Sequence, residues 1–350
     1  METPSLDIGR RRVWHRVIRA AAWLAVGAAV GLVAWRLFTD PVIRGLSPRS
    51  FHWLSLALAT VIGILGQLLY SSRWYWLLRV LQAPFTWVEA VSAGLMAQLL
   101  GSVAIGSAGS DVYRGIATGR SRAGHRVGIV ASILADRVVG LYSLLCLAAL
   151  AATFTPGSGR WQGVRAASLP VLWTAVIVGG GCILAGLFFN LGLALAWTRH
   201  FPPVHRLVVP MLAAVERFRS RPGVIFLGIA SGMVVHALSA TGLWLLARGL
   251  GLPHPTLAEH CLIVPLAMCT GLVPLPMAGL GAMELVMDGL YQMAVPDAAG
   301  AGLVVALVGR ITGLAVNAIL AAVFVSLSRA LDSISTGKDV FISHGSGGST

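Results

Sequence analysis

The chain has 350 residues, of which 57% are hydrophobic and 11% charged, and its mean hydropathy is +0.81. No soluble domain of this size needs so much apolar surface, which excludes a water-soluble enzyme or binding module and leaves an integral membrane protein. The formal charge of +13 comes almost wholly from arginine, which supplies 25 of the 26 basic residues.

A spanning helix needs about 20 consecutive apolar residues to cross a hydrocarbon core about 30 Å thick. In chain order, stretches of that kind lie at about 17–37, 51–71, 127–153, 169–197, 223–247 and 300–328. The first follows Arg10, Arg11, Arg12, Arg16 and Arg19 like the start of a signal peptide. Its length, the Arg36 at its far end and the spans after it read instead as an uncleaved first span. Two further apolar stretches, about 88–108 and 259–291, are interrupted by Gly, Ser or Pro and are expected to be re-entrant. Cys146, Cys182, Cys261 and Cys269 lie in apolar segments without metal-ligand spacing and read as reduced packing residues.

Basic residues set the orientation. With a cytoplasmic N-terminus, 18 fall on the cytoplasmic side, in 10–19, 73–79, 114–126, 199–221 and the tail. Six fall opposite (Arg36, Arg44, Arg49, Arg160, Arg165 and Arg248), and Arg137 and Arg310 fall within spans. The positive-inside rule therefore favours both termini in the cytoplasm. Because 73–79 and 114–126 share that face, the stretch between them should enter and return, and 259–291 should dip in from the other side. The expected fold is an all-α polytopic membrane protein of about six transmembrane helices plus two re-entrant hairpins lining a central cavity. Residues 1–16 form a basic cytoplasmic N-terminus, 17–330 a single membrane domain, and 331–350 a flexible cytoplasmic tail.

The chain also resembles itself. Shifted by 173, Ile133 to Leu141 falls on Ala306 to Leu314 with Leu134, Arg137, Gly140 and Leu141 matched; Asp111 falls on Glu284 and Gly106 on Gly279. In each half the acid precedes the intramembrane arginine by 26 residues. With one residue of slippage, Trp76 to Leu81 and Pro84 face Trp244 to Leu250 and Pro253. Units of about 51–153 and 223–328 would traverse the bilayer in opposite directions, the inverted-repeat arrangement of many transporters. Gly-rich apolar helices resemble one another by composition alone, but composition does not match arginines.

An arginine in the bilayer interior costs about 2.5–3.5 kcal/mol on insertion scales, so a partner is required. Asp136 is adjacent to Arg137, but helix neighbours point about 100° apart and make a poor pair. The expected partners of Arg137 and Arg310 are Asp111, Glu284, lipid phosphate or hairpin carbonyls, because a guanidinium binds carboxylate or phosphate bidentately and stays charged. A purely structural ion pair holding hairpin to helix fits the same residues. The small residues of Gly101 to Arg114 and of Pro274 to Glu284 permit close backbone approach, whether to a headgroup through exposed N–H groups or to another helix.

These residues carry a resemblance. Arg73-Trp74 in the first basic loop, Gly109 to Arg114, Asp136-Arg137, Pro274 through Gly279 and Gly281 to Glu284, and Arg310 resemble the lysylphosphatidylglycerol synthase transmembrane region family of flippase-like proteins, over about residues 50–330. The resemblance implies a domain that moves, or helps move, a polar lipid between leaflets, aminoacylated in the best-understood relatives. It implies lipid contacts for Arg73, Asp111, Arg114, Asp136, Arg137, Gly279, Gly281, Glu284 and Arg310. In the relatives named for the synthase a soluble catalytic domain follows; here about 20 residues follow the last span, so lysyl transfer is not expected. The first hairpin also lacks the tip proline that relatives often have.

The expected partners are membrane lipids with an anionic phosphate headgroup and, in one reading, a separate lipid-modifying enzyme; no cofactor, metal or nucleic acid is expected. His200, His205, His254 and His260 lack clustered carboxylates, and no Gly-x-Ser-x-Gly elbow or phosphate-binding loop occurs. The Arg-rich loops flank spans, where lipid headgroups account for them. Two alternatives remain open: an intramembrane transferase whose Asp111, Arg114, Asp136 and Arg137 coordinate a pyrophosphate through a metal, and a scaffold for another enzyme. Asp136 and Glu284 are the candidates for proton coupling, and the expected location is a bacterial-type inner membrane.

Overall fold

The computed structural model describes residues 47–103, 106–121, 125–156, 159–188, 202–272 and 280–345, together with residues 35, 39 and 45. Among the described residues every regular element is helical: α1 Trp53–Val80, α2 Trp87–Val103, α3 Gly106–Ser121, α4 Arg126–Phe154, α5 Gly159–Phe188, α6 Pro202–Arg219, α7 Pro222–Gly249, α8 Leu257–Met268, α9 Ala282–Ala294 and α10 Ala301–Gly345. Five of these, α1, α4, α5, α7 and α10, are long and apolar enough to cross a membrane. They correspond to five of the six expected spans, while 17–37 lies almost entirely outside the described residues. The protein is a polytopic helical membrane protein.

The two interrupted stretches are broken helices. At 1.5 Å per residue, α2 (17 residues) and α3 (16) reach about 26 and 24 Å, and α8 (12) and α9 (13) only about 18 and 20 Å, each short of the hydrocarbon core. α2 packs along α3 although only two residues separate them, so the pair forms an antiparallel hairpin. α8 runs into a 3-10 turn at Cys269–Leu272, and α8 packs on α9. The prolines of the second tip, Pro274 and Pro276, lie outside the described residues.

Three boundaries differ from the sequence reading. α1 continues to Val80, so Arg73 lies within a helix, 2% exposed, and not in a loop. Its backbone continues because Ser71 to Leu78 form a buried face against neighbouring helices. α5 begins at Gly159 and carries Pro170 inside it, ten residues before the expected span. α10 extends to Gly345, into the stretch set apart as a tail.

α1 and α7 make the most extensive helix contact, and they run antiparallel. The His52 backbone N–H donates to the Gly249 carbonyl (2.8 Å), Ala59 faces Gly242, Gly66 faces Leu238, and Arg73 faces Gly232. Glycines at these crossings let the backbones approach; a Cβ at Gly232 would lie 2.7 Å from Ser143 Cβ and 2.9 Å from Arg73 Nη1. Around this pair the contacts recur in matched sets: α2 on α10 and α8 on α4, α1 on α2 and α7 on α8, α3 on α4 and α9 on α10.

Local geometry matches too. α1 ends with Gln82 at φ +56° and the Ala83 N–H donating to Leu78 O; α7 ends with Gly251 at φ +68° and the Leu252 N–H donating to Ala247 O. Both are left-handed helix stops, satisfying carbonyls that the helix leaves open. α2 and α8 then begin with the same capping box. Thr86 pairs with Glu89 and Thr256 with Glu259, the threonine N–H donating to the carboxylate at 2.7 Å in each.

Candidate functional site

The intramembrane charges sort into three groups, each joining helices distant in sequence. Arg137 on α4 donates from Nε to Asp111 on α3 at 2.8 Å, and its Nη2 reaches Ser110 Oγ at 3.3 Å. Arg310 on α10 donates from Nε to Glu284 on α9 at 2.6 Å. The other Glu284 oxygen accepts the Gly281 N–H at 2.8 Å. Gly281 has φ +93°, a conformation that suits glycine, so one carboxylate fixes both the start of α9 and the arginine. These are the acid-arginine pairs expected from the 26-residue spacing.

Asp136 turns away from its neighbour Arg137. Its Oδ1 accepts from Arg73 Nε at 2.8 Å and its Oδ2 from Arg114 Nη1 at 3.2 Å, which ties α1, α3 and α4 together. All three side chains are at most 2% exposed. Two cations share one carboxylate, and aromatic faces take part of the remaining charge. The Tyr70 ring lies 5.1 Å from the Arg73 guanidinium carbon and 5.6 Å from that of Arg114; Trp74 lies 4.9 Å from Arg114. Gly140 makes room for this group, since a Cβ there would sit 3.1 Å from Arg73 Nη2.

A cavity of about 540 Å³ opens between the helices. Its polar wall includes Arg137, Arg310, Gln67, Tyr70, Gln98 and His236. Ala59, Ile62, Leu243, Leu246, Val264 and Val316 give it an apolar remainder. Arg137 lies 11 residues into α4 and Arg310 nine into α10, about 16 and 14 Å along their axes. Both arginines therefore lie inside helices that are long and apolar enough to cross a membrane. They are the accessible cations of the set, 41% and 20% exposed, whereas Arg73 and Arg114 lie one layer behind.

The profile of the family described as lysylphosphatidylglycerol synthase TM region matches residues 20–321. The chain belongs to that family. Comparison with curated proteins gave no match. For this lysylphosphatidylglycerol synthase TM region protein, membership means a membrane protein involved in lipid modification or translocation.

Of the nine residues named from sequence, Arg137 and Arg310 line the cavity, and Asp111 and Glu284 hold them. Arg73, Arg114 and Asp136 form the group behind, and Gly281 starts α9. Gly279 lies outside the described residues. Sequence reasoning missed Gln67, Tyr70, Gln98 and His236. Their only signal was polarity within apolar helices, which is itself a pointer to function in a membrane segment. His236 Nε2 lies 3.1 Å from the Gly140 carbonyl, placing its ring beside the turn that houses Arg73.

Proposed function

We propose that the protein moves a polar lipid between leaflets through the cavity, with the phosphate passing between Arg137 and Arg310. The observation that carries this reading is the pair of arginines, one from α4 and one from α10, that line a common cavity with an apolar remainder. A headgroup crossing the bilayer loses its water, and two fixed cations on the cavity wall offset that loss. Each arginine keeps its own carboxylate, so an empty cavity does not leave a bare charge in the membrane.

The matched helix stops, capping boxes and contacts support two units of inverted topology, α1–α4 and α7–α10, with α1 and α7 at their junction. Alternating access then follows from rocking one unit against the other around the arginines. Removing the buried Arg73 and Arg114 from the cytoplasmic count leaves 16 basic residues against six, which still favours cytoplasmic termini. The lipid is covalently unchanged by the passage, and the location is a bacterial-type inner membrane.

The test is leaflet-resolved. In liposomes carrying headgroup-labelled lipids, the wild-type chain should exchange lipid between leaflets, and Arg137→Ala and Arg310→Ala should each slow exchange at least tenfold. Equal exchange by all three proteins would overturn the cavity route. Lipid mass spectrometry on the same vesicles should find no new covalent species; a modified lipid would indicate a transferase.

A further inference from the structure

On the face proposed above as cytoplasmic, a second cavity of about 270 Å³ lies between the end of α1, the start of α4 and α6. It is separate from the cavity between the units: His125, on its wall, precedes Arg137 by 12 residues, about 18 Å along α4. Three polar side chains from three segments converge on it, Gln82 after α1, His125 before α4 and Arg217 on α6. Arg217 Nη1 donates to the Leu81 carbonyl at 2.9 Å, which fixes the guanidinium at the wall, and the same fork carries donors on Nε and Nη2. No carboxylate is among the described residues that line this cavity. Glu216, the acid next to Arg217 in sequence, is 70% exposed and accepts from Arg219 Nη1 at 3.0 Å.

Gln82 is a second, independent pointer to this cavity. It stands at φ +56° in the left-handed stop of α1, where the matching stop of α7 has Gly251 at φ +68°. A side chain is strained in that conformation and glycine is not. What the strain retains is an amide on the cavity wall, and strain kept at a cavity is a mark of function. Guanidinium, imidazole and amide all donate hydrogen bonds, and their common complement is an anion with several acceptor oxygens, which describes a phosphate group. At a basic face beside a bilayer, an anionic lipid headgroup and free phosphate both present that group. We propose that this cavity binds a phosphate group, carried by an anionic lipid or free in solution, through Arg217, His125 and Gln82. It would do so whether or not lipid crosses between Arg137 and Arg310.

The test is local protection. The full chain is placed in nanodiscs of phosphatidylcholine alone, of phosphatidylcholine with a one-third share of phosphatidylglycerol, and of phosphatidylcholine with millimolar inorganic phosphate. Amide hydrogen exchange is then followed over residues 79–85, 125–130 and 212–219. Relative to neutral lipid alone, a phosphate source should slow exchange in these segments at least threefold. Slowing by phosphatidylglycerol alone assigns a lipid headgroup, and slowing by inorganic phosphate assigns the free ion. Arg217→Gln should abolish the effect, whereas Arg219→Gln should keep it, because Arg219 Nε donates instead to the Leu187 carbonyl on α5. Gln82→Gly should melt at a higher temperature and yet lose at least half of the slowing, a loss that misfolding would not produce. No slowing by either source would overturn the proposal. Equal losses in Arg217→Gln and Arg219→Gln would overturn it too, since they would show only a general attraction between a basic face and anions.

Discussion

Asp136 and Arg137 are neighbours with opposite duties. Asp136 pairs with two arginines that are almost wholly buried, so Asp136→Asn should cost about 3–5 kcal/mol, the usual consequence of breaking a buried ion pair. Arg137 is 41% exposed and lines the cavity, and Arg137→Ala, which removes one partner of the partly exposed Asp111, should cost less stability than Asp136→Asn while slowing lipid exchange. Thermal unfolding in detergent, read beside the vesicle assay, checks this division; a variant pair with equal losses of stability would contradict it. Asp136 is fixed between two helices other than its own. Glu284 is held in the same way, between Arg310 and the Gly281 N–H.

At the scale of the element, the two short hairpins depend on how their first helices start and how the preceding helices stop. Thr86→Ala and Thr256→Ala each remove one capping box and should cost about 1 kcal/mol apiece, by similar amounts because the geometry is the same. The two helix stops respond with opposite signs. Gly251→Ala places a Cβ in the left-handed region and should cost about 1–2 kcal/mol, whereas Gln82→Gly relieves that strain and should raise the melting temperature. Both are read from thermal unfolding; a stabilised Gly251→Ala variant would show that α7 ends differently. The capping motifs were legible in the sequence as Thr-x-x-Glu after a proline, although the reading drew on Pro84 and Pro253 and passed over them. The break within each hairpin was legible because Gly, Ser and Pro interrupt the apolar run. The end of α1 was not, because a buried arginine in a helix and a basic residue in a loop have the same sequence signal.

For the whole molecule, the two units should present equivalent loops to opposite sides of the membrane. Pro84 and Pro253 occupy matching exposed positions after the two helix stops. In a chain with its four cysteines replaced, Pro253→Cys should react with a membrane-impermeant maleimide from outside intact cells, and Pro84→Cys only after permeabilisation. Labelling of both from one side would contradict inversion. What the sequence by itself determined was the membrane class, five of the spans seen here, the two broken stretches and the pairing of acids with arginines 26 residues on. Those follow from run length, composition and spacing, which are local or periodic properties of the chain. Only the tertiary structure decided that Asp136 faces Arg73 and Arg114 and not Arg137. It also decided that Gln67, Tyr70, Gln98 and His236 share a wall with Arg137 and Arg310. The direction of a side chain around a helix gains meaning only when its neighbours are placed, and in an apolar chain nearly every face is hydrophobic enough to be buried or to meet lipid.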